Sequence, residues 1–199
     1  MRLKIVQAGD PVLRQVARPL SLKEIISADI QRLIRDMRET MHDAPGVGLA
    51  APQVGLSLQL AVVEDRAEIL RDLPAEQLAE RERKPVPFHV VVNPVIRSQS
   101  DESVDFFEGC LSVNGFIALV PRAKTVTVEF LDERAEHHAL QAVGWHARIL
   151  QHEVDHLNGG LYLDRMRTRS FSCVENFNRH WTARPVAEVM AELGVRTER

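Results

Sequence analysis

Cysteine is scarce in this chain: its 199 residues carry only Cys110 and Cys173. Two thiols cannot build a disulfide scaffold, so in a reducing compartment each is a free thiol or a ligand. Long apolar runs are missing too. Basic residues follow Met1, but Ala8-Gly9-Asp10-Pro11 comes at once, so neither a secretory signal nor a membrane span is expected. No Arg- and Ser-rich amphipathic leader is expected from the opening residues. The expected location is the cytoplasm, with an organelle as the alternative where a transit peptide has been removed. Charge of one sign is also lacking: a formal net charge of -3 gives no drive toward DNA or an anionic membrane. Repeats and low-complexity tracts are absent. What is there is 45% hydrophobic and 27% charged residues, enough to bury a core without staples. The length argues for one domain over residues 1–199.

Ser21 and Glu24 have capping-box spacing and predict a helix start. Ile26, Ile30, Leu33, Ile34, Met37 and Met41 then recur at helical period as one apolar stripe, stopped by Asp43-Ala44-Pro45-Gly46. Residues 58–63 and 89–96 are apolar, β-branched runs and read as strands. Between them, residues 66–87 are charged and hold Pro74, Pro85 and Pro87. This stretch reads as a surface insertion with a helical turn or two, its charge run a solvated face. Residues 104–107 and 125–131 read as strands, 132–134 as a turn and 138–143 as the returning strand. Residues 145–157 are helical, and Asn158-Gly159-Gly160 is a strong stop. Residues 161–166 should leave extended, and 185–193 should form an amphipathic helix opening a C-terminal helix and tail, 185–199. Strands and helices do not alternate regularly, which argues against a parallel doubly wound sheet. The fold class expected is α+β, mostly antiparallel strands packed around the central helix 145–157.

That helix carries His152-Glu153-Val154-Asp155-His156. Residues four apart share a helix face, so both imidazoles reach one metal ion, and Glu153 points at its water as a general base. The bland reading is a helix with surface histidines and a solvated glutamate. The apolar Trp145, Ile149, Leu150 and Leu157 argue against it, because buried polar groups demand a reason. A catalytic site needs a third protein ligand. The metzincin position is filled by Tyr162, so that pattern fails. Glu175 at a thermolysin-like distance remains open, as does Cys110 in Glu108-Gly109-Cys110-Leu111-Ser112. Cys173 reads as a small buried core residue. Gly46-Val47-Gly48-Leu49-Ala50-Ala51-Pro52-Gln53 lacks the Gly-Lys-Ser/Thr ending of a phosphate loop and the dinucleotide spacing. Its glycines instead let a peptide or metal approach the backbone, and Gln53 offers an amide donor.

Together the segments GxGxAAxQ, EGCxS and HExDH, in that order, resemble peptide deformylase, over about residues 1–166. Residues 144–149 and 167–171 are worded more like the organelle-type branch, whereas Leu111 is as in bacterial members. Asn114 and Ile117 depart from the common bacterial wording, which bears on contacts beyond the substrate's first residue and not on the chemistry. The resemblance implies that Cys110, His152 and His156 hold a divalent metal with water in the fourth position, Fe²⁺ in the cell, with Zn²⁺, Ni²⁺ or Co²⁺ alternatives in vitro. It implies Glu153 as base, and Gln53 and the Leu111 N–H as oxyanion donors. It also implies that Glu108 pairs with Arg122 and so braces the Cys110 loop. Formyl-methionyl nascent peptides are the implied partner, and the ribosome is a candidate second one. No DNA binding and no membrane are expected. Trp145, Ile149, His152 and His156 form one helical stripe, so Trp145 and Ile149, with Val47 and Gly48, are the candidate methionine pocket. A gluzincin-type peptidase using Glu175 and a non-catalytic metal module are the other classes weighed.

Overall fold

The computed structural model describes residues 1–195. Helices α1 (Leu22–Ile25) and α2 (Ala28–Asp43) lead into β1 (Gly48–Ala50) and β2 (Leu60–Asp65). Short helices α3 (Ala67–Leu70) and α4 (Ala75–Glu80) precede β3 (Val86–Gln99), β4 (Ser103–Gly109), β5 (Phe116–Ala123), β6 (Thr125–Leu131) and β7 (His137–Val143). Helix α5 (Gly144–Leu157) follows, then β8 (Ser172–Cys173), α6 (Val174–His180) and α7 (Val186–Leu193). All pairings between these strands are antiparallel. One sheet has the order β1-β2-β3-β6-β7 and the other β4-β5-β8. This is the α+β arrangement expected.

Strand periodicity sorts the core. Leu60, Val62, Val90 and Val92 turn to one face and bury Ile34, Met37 and Met41 of α2. Ala61, Val63 and Val91 turn to the other and bury Ala147, Ile149, Leu150 and Leu157 of α5. The five-stranded sheet therefore lies between the two helices, and α5 lies between it and β5. Each fully buried Leu or Met at these faces contributes about 1.5–3 kcal/mol. Phe107, Leu119 and Val189 join α7 to the smaller sheet.

Several expectations are corrected. The helix opened by Ser21 is two helices: Ser27 caps α2 by accepting from Ile30 N, and Ile26 is left 60% exposed at the break. Ile25 is the buried residue there. Strand β5 was not anticipated, because Pro121 and Arg122 interrupt its alternation. Residues 161–166 are not extended: Asp164 Oδ2 accepts from Leu161 N at 2.8 Å and closes a 3₁₀ turn, Tyr162–Asp164. The 66–87 stretch does hold two short helices, but its end is anchored and not simply solvated. Arg83 makes two bonds, 2.7 and 2.9 Å, to the fully buried Asp65. Cys173 is half-buried on β8 and not in the core. The amphipathic C-terminal helix is present as α7. Positions 196–199 of the tail lie outside the described residues.

Candidate active site

The site is assembled where α5 crosses the end of β4. Gly144 turns the chain from β7 into α5 with φ +60, and a Cβ there would come within 2.6 Å of Glu82 Cβ. Trp145 N donates to Arg81 O at 3.0 Å, so the helix start is seated on the 66–87 stretch. Burial along α5 then fixes which way its polar residues face: Ala147, Ile149, Leu150 and Leu157 occupy the sheet side. His152, Glu153 and His156 are turned toward β4 and β1.

Strand β4 ends at Gly109, paired with Ile117, and the turn that follows is closed by Val113 N donating to Cys110 O at 3.0 Å. This delivers Cys110 to α5, with Sγ 3.3 Å from His156 Nε2. One potential ligand atom from each of Cys110, His152 and His156 lies within 4.8 Å of the others. Glu175 is elsewhere: its side chain is 80% exposed and bonded to Arg179. Among the described residues a second cluster, Asp132, Glu136 and His138, is part of a surface turn, where Asp132 already accepts from the Arg134 and Glu136 N–H groups.

Glu108 organises the histidine side. Its Oε1 accepts from Arg122 Nε at 2.9 Å and Arg148 Nη1 at 2.6 Å, while Oε2 accepts from Arg122 Nη2 at 3.0 Å. The same Oε2 lies 3.0 Å from His152 Nδ1. With Nδ1 donating, His152 keeps a lone pair on Nε2 for a ligand. Burial opposes the charge on Glu108, yet the His152 bond and the Arg122 guanidinium outweigh it and hold the carboxyl well below its usual range. Asp155 faces away from the triad, to Arg122 and Arg165.

The two histidines are pushed in opposite directions. Burial drives His156 well below its ordinary pKa, so it stands neutral. Burial acts the same way on His152, but Cys110 and Glu108 outweigh it and call for positive charge there. Glu153, lifted to about 7 by burial, has one carboxylate oxygen buried without a partner. It packs directly on Gly48, where a Cβ would come within 2.6 Å of Glu153 Cδ. A sulfur and two imidazoles, one oriented by a carboxylate, plus an unspent buried carboxylate, fit a divalent cation of the zinc or iron kind.

Gln53, in the 3₁₀ turn Ala51–Val54, is held by Ala50 N donating to its Oε1 at 2.8 Å. Its Nε2 is thereby aimed at Cys110 Sγ and Ser112 Oγ, 3.4 Å from each. Leu111, Val47, Gly48, Trp145 and Ile149 line one cavity of about 330 Å³ that also exposes Cys110, His152 and Glu153. Thus the structure brings together the sequence-predicted site residues except the alternative ligand Glu175, although His156 is not among the residues lining the cavity. Trp145 is walled in by Phe106, with ring centroids 6.3 Å apart, and by Arg81 and Arg83, 5.0 and 5.1 Å from its ring. Arg148 was missed, and so were Phe107, Phe116 and Val174 on the same cavity. The continuous apolar run Phe116-Ile117-Ala118-Leu119-Val120 was the signal that would have found Phe116.

Known proteins bear on this geometry. The sequence pattern of the family described as polypeptide deformylase matches residues 2–171. A chloroplastic/mitochondrial peptide deformylase 1A of Arabidopsis thaliana is 46% identical over 191 residues, covering 96% of this chain and 69% of that one. Peptide deformylase 1 of Bifidobacterium longum is 46% identical over 194 residues, covering 96% and 86%. A crystal structure of a class I type b peptide deformylase from Acinetobacter baumannii, bound to Met-Ala-Ser, superposes with a TM-score of 0.74. It shares 35% identity and covers 83% of this chain and 99% of that one. By pattern, by identity along nearly its whole length and by fold, the chain belongs to the peptide deformylases, metalloenzymes that hydrolyse the N-formyl group from nascent peptides.

Proposed function

We propose that this chain removes the formyl group from N-terminal formylmethionine with Fe²⁺ held by Cys110, His152 and His156, and with Glu153 as general base. The observation that carries the reading is the close grouping of those three side chains beside a buried carboxylate with no partner. A divalent cation there supplies a Lewis acid and lowers the pKa of water at the formyl carbon. Glu153 takes the proton of the attacking water and hands it to the departing amine, so formate and a free N-terminus leave. Its pKa near 7 suits both transfers at neutral pH. Gln53 Nε2 and the Leu111 N–H donate to the oxygen that becomes negative as the carbon turns tetrahedral. Glu108 fixes the His152 tautomer and Gly48 leaves room for the Glu153 carboxylate. Val47, Trp145 and Ile149 form the apolar wall that takes the methionine side chain.

We read residues 1–199 as one deformylase domain, its 66–87 stretch seating the start of α5 and its 185–199 end a helix and tail that are a candidate contact to the ribosome. The iron assignment rests on the family and not on donor type, which suits zinc equally. The proposed location is the cytoplasm; the chloroplastic/mitochondrial relative keeps an organelle in view as the second reading. No described helix is long and apolar enough to cross a membrane.

The test is hydrolysis of a formyl-methionyl peptide by protein loaded in turn with Fe²⁺, Ni²⁺ and Zn²⁺, repeated with Cys110→Ala and Glu175→Ala. Turnover should be higher with iron or nickel than with zinc. The cysteine variant should lose bound metal and activity together, and the glutamate variant should keep both. Equal turnover with all three metals refutes the iron assignment. The reverse pattern in the variants makes the site thermolysin-like and ends the deformylase mechanism.

A further inference from the structure

His89 and His146 are a second pair of neighbouring imidazoles, outside the triad. His89 lies on β3 opposite Val63 of β2, and His146 is in the first turn of α5, so the pair joins the sheet to the start of the helix. Their ring centroids are 5.3 Å apart at 74°, close to the 4.9 Å and 75° of His152 and His156. Two imidazoles held about 2.1 Å from one ion at a tetrahedral angle have ring centres about 5 Å apart. His146 precedes His152 by six residues, which is roughly 9 Å along the helix axis and about 240° around it. The two pairs are therefore separate places on one helix.

The ring nitrogens suit a ligand. His89 Nδ1 lies 2.9 Å from Pro87 O, and a carbonyl only accepts, so Nδ1 donates and Nε2 carries a lone pair. A backbone carbonyl on the other nitrogen is how metal-bound histidines are oriented. Both Nε2 atoms are buried, and among the described residues neither has a hydrogen-bond partner, not even the other. One buried ring nitrogen without a partner is costly, and two on adjacent rings mark a place where something binds. Burial holds both rings below the ordinary histidine pKa, so at neutral pH both are in the uncharged form that ligates. Each ring also lines a cavity, His89 one of about 330 Å³ and His146 one of about 630 Å³. The larger gives an ion and its waters a way to the pair. Imidazoles suit Zn²⁺, Ni²⁺ or Cu²⁺, whereas Mg²⁺ and Ca²⁺ take oxygen. We propose that His89 and His146 form a second metal site, which takes Zn²⁺ or a similar transition ion with water completing its shell and ties the start of α5 to β3.

The experiment starts from the full chain holding one equivalent of Zn²⁺, dialysed at neutral pH against further Zn²⁺ and analysed for bound metal. The parent should take up a second equivalent, while His89→Gln and His146→Gln should each stay at one. Deformylation by both variants should remain within about twofold of the parent, since neither residue touches the triad. At free Zn²⁺ a hundredfold above the second dissociation constant, the parent's Tm should rise by roughly 5–10 °C and the variants' should not. Imidazole ¹⁵N spectra read the site in the parent without any substitution. The Nε2 signals of His89 and His146 should move as the second equivalent is added. A parent that stops at one ion overturns the proposal, and so does a second ion that leaves both Nε2 signals in place. A second ion kept by both variants belongs to another cluster, such as Asp132, Glu136 and His138, and also overturns it.

Discussion

Gly48→Ala adds one methyl group in the place where the structure has least room for it. The new Cβ would stand 2.6 Å from Glu153 Cδ and 3.0 Å from Cγ. Ordinary carbon contacts are about 3.5–4.0 Å, so one partner must retreat by about 1 Å. Strand β1 is poorly able to, since Gly48, Leu49 and Ala50 are registered against Val63, Val62 and Ala61. Backbone strain is not the issue, because Gly48 is not among the residues with positive φ. The Glu153 side chain must therefore yield, swinging off the cavity. A displacement of about 1 Å at a group that must meet a proton costs on the order of 100-fold in rate. Overpacking of this kind costs roughly 1–3 kcal/mol, which lowers Tm by roughly 2–12 °C in a chain of this size. The assay is steady-state deformylation of a formyl-methionyl peptide, with bound metal and thermal unfolding measured on the same sample. Metal content should stay near the parent's, since no ligand is touched. Adding Glu153→Asp removes the crowding methylene, so the double variant should regain stability without regaining rate. Turnover within about twofold of the parent, at unchanged Tm, would refute the packing argument and the role given to Gly48.

Two further outcomes are expected. Glu153→Gln keeps the shape but cannot take a proton, so kcat should fall roughly 100- to 10,000-fold while metal content stays near the parent's; loss of metal along with activity would make Glu153 a ligand and not a base. His146, which burial pushes down to about 4 with repulsion from His89 adding to it, stays neutral in the fold and takes a proton on unfolding near pH 6.5. Its contribution is complete above the unfolded value and is lost as pH falls toward about 4. Screening at its partly exposed ring reduces the effect to on the order of 1 kcal/mol. The Tm of His146→Gln should fall less than the parent's between about pH 7 and pH 5, and parallel curves would count against the assignment.

What the sequence discloses is whatever a fixed offset can encode. His152 and His156 are about one helical turn apart, and helical period alone puts both imidazoles on one face, with Glu153 beside the first. Gly109 and Cys110 at a strand end, and the small residues before Gln53, are local patterns of the same kind. Arg122 and Arg148 follow the other logic. Charged residues in a sequence read as solvent-facing; the family resemblance supplied the Glu108–Arg122 pair, and only the fold shows that Arg148 joins it on the buried Glu108, Arg122 coming from β5 and Arg148 from α5. Strand β5 was hidden because Pro121 is unusual inside a strand. The structure tolerates it opposite Asp105, in a sheet only three strands wide. The break at Ser27 was hidden because Ile26 keeps the helical period even though it points to solvent. The standing of the 66–87 stretch depended on Arg83 finding Asp65 and on Arg81 meeting Trp145, partners that no local window contains.

Glu108 explains why so polar a site is built inside an apolar fold. A buried carboxylate is costly, and it is tolerated only when its lone pairs are satisfied and its charge is answered. Two guanidiniums and an imidazole do this here, but they leave a surplus of positive charge. Asp155 answers it from one side by accepting from Arg122. The sulfur and imidazoles of the triad lie on the other side, on the cavity. The network thereby fixes three things at once: the tautomer of His152, the pairing of β4 to β5 through Arg122, and the seat of α5 through Arg148, which also donates to Val120 O and Val104 O. Ligand geometry and the packing of α5 against the smaller sheet are therefore one structure. Because removal of one partner from a buried ion pair typically costs about 3–5 kcal/mol, the geometry of the site cannot relax without the fold relaxing with it. Rigidity of that kind is what a base such as Glu153 needs, since it must accept and return a proton at one position.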